Sequence, residues 1–312
     1  MGRTFETGLD AGTFDELFDR VIAPAVAPHE AERQKRVTTY YRWIGVATAV
    51  SVVVAGYVWW RAGALKEALL IVFAGSVASM VFAYFPLRRF QARCKAIILD
   101  DLCEALGLTF QGEKFDPPAF QQAERLGLFP IHDRAEFEDL FSGERQGCAF
   151  QLYEAKLTKR SGKSRQTVFQ GQIARVAFPK RFLGVTVVAR QAFRLRPPKG
   201  LERVGLESSE FERAFEVYGS DQVEARYLVH PAFMARLIDL ETAAAGQRIR
   251  CAFEGGDLLI AMEGGDLFEV VDAFKPIPDR AAVRKGLEEI EAVLKLIGAV
   301  LDPPRPRFGA AS

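Results

Sequence analysis

The chain of 312 residues is 49% hydrophobic and 26% charged, with 41 Lys and Arg against 40 Asp and Glu. A mean hydropathy of +0.02 is high for a soluble chain of this length, and a net charge of +1 excludes a global field that would attract nucleic acid. Cys94, Cys103, Cys148 and Cys251 lack a C-x-x-C pair or regular spacing, which argues against a disulfide framework and a zinc site and predicts buried thiols in a reducing compartment.

Thr13 and Glu16 have capping-box spacing at the start of a short helix on which Phe14, Leu17, Phe18, Val21 and Ile22 share a face. Its polar side is acidic, which favours packing on the protein over lying in a lipid interface. From Trp43 to Trp60 there are 18 consecutive uncharged residues, and from Ala68 to Leu87 another 20. At about 1.5 Å per residue, each run is long enough to cross a hydrocarbon core of roughly 30 Å. Trp43, Trp59 and Trp60, all the tryptophans of the chain, stand at the ends of the first run with Tyr40, Tyr41 and Tyr57, as in an interfacial belt. Arg33, Lys35, Arg36 and Arg42 precede the hairpin and Arg88, Arg89, Arg93 and Lys95 follow it, against Arg61 and Lys66 between the runs. This asymmetry predicts a two-pass membrane protein with both termini cytoplasmic. Ala47, Ser51 and Ala55 recur every fourth residue, as do Gly75, Ser79 and Ala83, and the two stripes are expected to face each other. Neither run contains an ionisable Asp, Glu, Lys, Arg or His, which argues against an ion or proton pathway.

The second helix is expected to continue to a stop at Gly107. Val, Phe, Tyr and Ile then concentrate in 147–157, 166–178 and 184–189, bounded by Gly, Pro and Ser-Gly turns, which predicts an antiparallel sheet from about Leu140. A helix over 231–245 with Gly246 as its cap, and a hairpin of 248–253 and 258–262 through Gly255 and Gly256, complete it. The Glu-Gly-Gly-Asp-Leu repeat at 254–258 and 263–267 reads as two turns. The last helix, 279–301, spaces Val283, Leu287, Ile290, Leu294, Ile297 and Leu301 by four and three, a face suited to packing on the sheet or to dimerisation. The expected fold class is α+β: an N-terminal transmembrane helical hairpin, a cytoplasmic antiparallel-sheet domain and a long C-terminal helix. The corresponding segments are 1–39, 40–95, 96–301 and a disordered tail, 302–312.

Charge is segregated along the chain. Residues 155–201 carry 12 basic and no acidic side chains, whereas 97–154 carry 4 and 12 and 202–312 carry 13 and 20. Lys156, Lys159, Arg160, Lys163 and Arg165 surround a Ser161-Gly162 turn, with Lys180 and Arg181 further on. In a domain tethered to the cytoplasmic leaflet, such a block suits anionic headgroups or an acidic protein partner; the alternative is intramolecular pairing with the acidic segments. The strong catalytic motifs are absent from the sequence. Asp221, Glu224 and His230 form the densest polar cluster. They read either as a capped helix with a local ion pair or as the acid/base set of a membrane-anchored hydrolase. No metal site or cofactor is expected, nor a nucleic-acid partner.

The run Asp221-Gln-Val-Glu-Ala-Arg-Tyr-Leu228, with Tyr218 and Pro231-Ala-Phe-Met-Ala-Arg-Leu237, resembles a bacterial two-span membrane protein family of unknown function, domain of unknown function 3137. Phe85-Pro-Leu-Arg88, Gly127-Leu-Phe-Pro130, Leu140-Phe-Ser-Gly143 and Asp266-Leu-Phe268 extend the resemblance over roughly residues 40–300. It implies an inner-membrane protein with both termini inside and supplies no reaction, ligand or catalytic residue. The combined expectation is a membrane-anchored binding or scaffolding module.

Overall fold

The computed structural model describes residues 11–162, 164–178, 181–190, 199–243, 248–265 and 267–301. Gly246 and the 302–312 tail, for which a cap and disorder were expected, lie outside these residues. Two long apolar N-terminal helices are followed by a nine-stranded antiparallel sheet and a C-terminal helix, an α+β fold. The chain forms two compact units: 1–105 with 269–286, and 106–268 with 287–312. The segment 96–301 therefore contributes to both.

In the helical unit, α1 (Ala11–Leu17) runs through a π-helical turn (Phe18–Ile22) into α2 (Ala23–Val26) and a 3-10 turn (Ala27–His29). Thr13 lies inside α1 instead of capping it, because the helix starts at Ala11. Phe14, Phe18, Ile22 and Val26 are buried at a spacing of four, and Val21 is exposed. The π-turn and α2 pack on α4.

Helix α3 (Glu30–Ala62) and helix α4 (Leu65–Ala105) form an antiparallel hairpin. Gly63 turns the chain in the left-handed region and its N–H closes on Trp59 O at 2.8 Å, a conformation that only glycine adopts without strain. At about 1.5 Å per residue the helices are about 50 and 60 Å long, well beyond a hydrocarbon core. Both are candidate membrane-spanning helices by length and composition, and only 6% of each apolar window is buried within the protein. Val50, Val53, Phe73 and Phe82 face outward.

The two small-residue stripes lie on the contact between the helices: Ala47, Ser51 and Ala55 on α3 and Gly75, Ser79 and Ala83 on α4 are all buried or partly buried. Arg33, Tyr40 and Ala55 on α3 and Ala68, Leu87, Phe90 and Cys94 on α4 are buried. Thr48 and Ser76 hydroxyls meet at 3.4 Å, and a Cβ on Gly75 would collide with Ser51 Oγ. Ile71 and Val72 are partly buried on the same side as Gly75. Beyond the apolar runs, α4 continues with Ile98, Leu99 and Leu102 buried and ends before Gly107, whose φ is 68°.

Residues 269–286 return to this unit. Arg33 Nε and Nη2 donate to both oxygens of Glu30 at 2.8 and 2.7 Å, and Nη1 donates to Ala273 O at 3.0 Å. Glu30 also accepts from Ile277 N at 3.2 Å. The Arg33 hydrogen bonds, outweighing desolvation, hold the Glu30 carboxyl at about 2. Arg280 lies 4.2 Å over the Phe18 ring and Arg284 4.4 Å over Phe14; Arg280 pairs with Asp15 and Asp19, and Arg284 with Asp15.

The strands are β1 (Thr109–Gln111), β2 (Arg134–Arg145), β3 (Cys148–Ser161), β4 (Ser164–Ala177), β5 (Val185–Arg190), β6 (Glu202–Arg203), β7 (Phe215–Gly219), β8 (Ile249–Glu254) and β9 (Asp257–Glu263). They lie in the order β1-β2-β3-β4-β9-β8-β5-β7-β6. Burial is continuous along β5, β8 and β9 and through the middle of β4, where Tyr153, Phe169, Ile173, Val187, Ala252 and Leu259 share a core with Phe120, Leu128 and Phe129. Arg250 is 1% exposed within β8. It donates to Leu128 O at 2.6 Å and to Glu263 at 2.8 Å, and burial pulls its guanidinium down to about 10. Helix α5 (Phe120–Arg125) is tied to the β8–β9 turn by Gln122 and Arg125, both bonded to Glu254.

The last helix, α9 (Arg280–Leu301), is capped by Asp279, which accepts from Ala281 N at 3.0 Å. Val283, Leu287, Ile290 and Leu294 are buried within the chain. All four cysteines are free and buried, and burial raises the thiols of Cys94, Cys103 and Cys251 to about 11, 12 and 12.

Two outcomes are expected. Gly75→Leu forces α3 and α4 apart and lowers the thermal midpoint of the detergent-solubilised chain, whereas Ala74→Leu, on the exposed side, leaves it within a degree or two. The Glu30 carboxyl sits below its unfolded value of 4.5, so its contribution is fully present above that pH and is lost as pH falls towards about 2. Glu30→Gln therefore lowers the midpoint at pH 7, and the difference from the parent shrinks on titration from pH 4.5 to 2.

Candidate functional site: a basic hairpin tip

The β3–β4 hairpin carries the basic cluster. Its turn places Gly162 at φ 62°, and Ser161 pairs with Ser164 across it. On one side the neighbouring β2 pairs no further than Arg134 with Thr158, and on the other β9 ends by pairing Glu263 with Gly171. From Lys159 to Gln166 neither strand pairs with a third strand among the described residues, a projection of about 10 Å at 3.4 Å per residue. Arg160 stands directly across from Arg165, Lys159 across from Gln166 and Lys156 across from Gln170. Like charges in register on neighbouring strands repel.

Lys156, Lys159, Arg160 and Arg165 are exposed, and none forms an ion pair among the described residues. Arg160 has only uncharged partners for its guanidinium, donating from Nε to Gly162 O at 3.3 Å, while its backbone N–H donates to Asp133 at 2.7 Å. Of the preceding acidic segment, Asp133 meets the tip through that backbone bond and Glu136 stands across from Lys156, without an ion pair to these four cations among the described residues. Lys163 and Lys180 lie outside the described residues.

Arg181 is exposed but does not join the cluster. Strand β4 runs from Ser164 at the tip to Ala177 at the far end of the sheet, 14 residues that span about 45 Å. Phe178 N bonds to Gly256 O there, beside the β8–β9 turn. The basic block is continuous in sequence and divided in space.

That far end holds Asp221 and Glu224. Asp221 caps α7 (Gln222–Leu228) by accepting from Val223 N at 2.8 Å and Glu224 N at 2.9 Å. Glu224 turns away from the cap and accepts from Leu183 N and Gly184 N, each at 2.7 Å, fixing the approach to β5. His230 lies past the other end of α7, about 12 Å along the chain axis from Asp221. Its Nδ1 accepts from Phe233 N at 3.2 Å at the start of α8 (Pro231–Ala243), and burial lowers its pKa. The three side chains serve two helix starts and one loop and are not brought to a single point. Around Glu224, Leu183, Val223 and Tyr227 are 89%, 78% and 79% exposed. The four-residue spacing of Val223 and Tyr227 opposite buried Ala225 is a signal of that exposure visible in the chain itself. Among the described residues, no group of three or more His, Cys, Asp or Glu side chains is placed to hold a metal ion.

With this geometry in view, residues 167–301 match the profile of a family described as protein of unknown function, DUF3137. The chain carries a DUF3137 domain. The domain begins inside β4 and ends with α9, so it includes Arg181, Asp221, Glu224 and His230 and stops short of the basic tip. A solved structure, that of the mycobacterial trehalose monomycolate transport factor A, is similar over 70% of this chain and 99% of its own, at 12% identity and a TM-score of 0.37. No curated protein matches.

If Glu224 is a backbone clamp, Glu224→Ala leaves the Leu183 and Gly184 amides without acceptors at a cost of about 1–3 kcal/mol. Hydrogen exchange at those two amides should quicken at least tenfold while exchange in β8 and β9 stays unchanged.

Proposed function

We propose that this protein is an inner-membrane-anchored binding module whose basic hairpin tip engages the anionic headgroups of the cytoplasmic leaflet. Both termini lie in the cytoplasm in this reading, and the two candidate membrane-spanning helices anchor the DUF3137 domain. The observation that carries it is the projecting tip with Lys159, Arg160 and Arg165 exposed, in no ion pair among the described residues and including two arginines in register, with exposed Lys156 at its base. A surface of phosphate groups relieves that repulsion, and each cation near it gains about 1 kcal/mol. The hydrolase alternative has less support, since Asp221 and Glu224 are engaged by backbone amides.

The test uses the full chain in proteoliposomes. The four cysteines are buried, so Ser161→Cys at the exposed turn accepts an environment-sensitive dye selectively. In vesicles with anionic lipid the emission should shift to the blue, revert as salt exceeds physiological strength and fail to shift in Lys159→Glu/Arg160→Glu/Arg165→Glu. An emission indifferent to anionic lipid at low salt removes headgroups as the target and leaves an acidic protein partner.

A further inference from the structure

The four cations ahead of the first apolar run are not equivalent. Arg33 is buried and held by Glu30, and Arg36 donates twice to Glu32 at 2.8 and 2.6 Å. Lys35 and Arg42 are exposed and form no ion pair among the described residues. They stand seven residues apart, two turns along one side of α3, with Thr39 between them.

Beside this pair a cleft of about 710 Å³ runs down the contact of α3 and α4. Glu32, Lys35, Arg36 and Thr39 line its upper part, where Glu32 and Arg36 neutralise each other and Lys35 is left over, and Trp43, Ala47, Ser79 and Phe82 line its lower part. A shallower depression next to it is bounded by Thr39, Arg42, Trp43 and Val46. Trp43 and Phe82 project as walls, being 64% and 73% exposed, while the short side chains of Ala47 and Ser79 leave the floor low. Unpaired positive charge at one end and an apolar trough at the other match the two ends of a phospholipid. The volume lies in the usual range for a bound small molecule, about 300–1,000 Å³.

We infer that this cleft is a binding site for one anionic phospholipid, with Lys35 and Arg42 converging on its phosphate near Thr39 and an acyl chain lying between Trp43 and Phe82. Trp43, at the level where aromatic rings favour the bilayer interface, marks the boundary between the two ends. The site is separate from the hairpin tip of the sheet and rests on the reading of α3 and α4 as membrane spans. Two cations at about fivefold each, reduced by screening, predict roughly a tenfold preference for anionic over zwitterionic lipid.

Trp59→Phe/Trp60→Phe leaves Trp43 as the sole tryptophan of the chain. This variant, purified whole and reconstituted in mixtures containing brominated phosphatidylglycerol or brominated phosphatidylcholine, reports the lipid beside Trp43 through quenching. Phosphatidylglycerol should quench at roughly tenfold lower mole fraction. Lys35→Gln/Arg42→Gln should abolish that preference, and Arg89→Gln/Arg93→Gln, which removes the same charge from α4, should keep it. Equal quenching by the two lipids in the parent overturns the site while leaving the spans in place. Equal loss in both double variants also overturns it, since the preference then follows total charge. Absence of quenching by either lipid overturns the membrane reading together with the site.

Discussion

The pair of Glu30 and Arg33 joins stretches of chain 240 and 247 residues apart through Ala273 O and Ile277 N. Its strength comes from geometry: a bidentate contact through Nε and Nη2 leaves Nη1 to donate to Ala273 and lets the carboxylate accept a backbone N–H as well. It ties residues 269–286 to the first helices, where Ala273 also shares a cluster with Tyr40 and Leu87 and Phe274 meets the Tyr40 ring edge-on. The cation–π contacts of Arg280 and Arg284 with Phe18 and Phe14 then extend the same association along the N-terminal segment. Helix α9 consequently has its first turns in one compact unit and the rest in the other.

The distribution of cations matters more than their number. Arg33, Arg36 and Arg175 are all matched by carboxylates, and Arg250 is a core residue that holds Leu128 and Glu263. Two groups of cations that form no ion pair among the described residues, at the β3–β4 tip and along the Lys35–Arg42 side of α3, underlie both readings of function. The Asp221 cluster is the contrary case. In it the oxygens of Asp221 and Glu224 accept from helix and loop amides that would otherwise be unpaired.

Much of the fold was legible. Uncharged runs with aromatic ends identified the two long helices, and the Gly255-Gly256 turn, the face of α8 and the seam of α9 followed from period and punctuation. Strand β2 escapes the sequence reading, whose first strand is 147–157: its first half alternates Ala135 and Phe137 with charge, and the bulge between Glu138 and Phe141, with Asp139 at φ 57°, interrupts the alternation. Strand β7 was taken for part of a polar cluster although Phe215, Val217 and Gly219 are buried at a strict period of two. Strands β1 and β6, of three and two residues, carry too little pattern to be seen. The return of 269–286 has no local signature, since a long-range pair is invisible to periodicity. At the candidate site the tip residues were found from charge alone, but the separation of Arg181 from them needed the direction of β4.

The order of translation gives the returning segment a further meaning. Ribosomes extend a chain at about 5–20 residues per second, so roughly 10–40 s separate the emergence of α4 from that of residue 286. Throughout that interval Phe14 and Phe18 lack Arg280 and Arg284, and Arg33 lacks Ala273. The first helices to be made are among the last parts to be completed, so a nascent chain halted within the sheet would present an unfinished stem to the quality-control machinery of the cell.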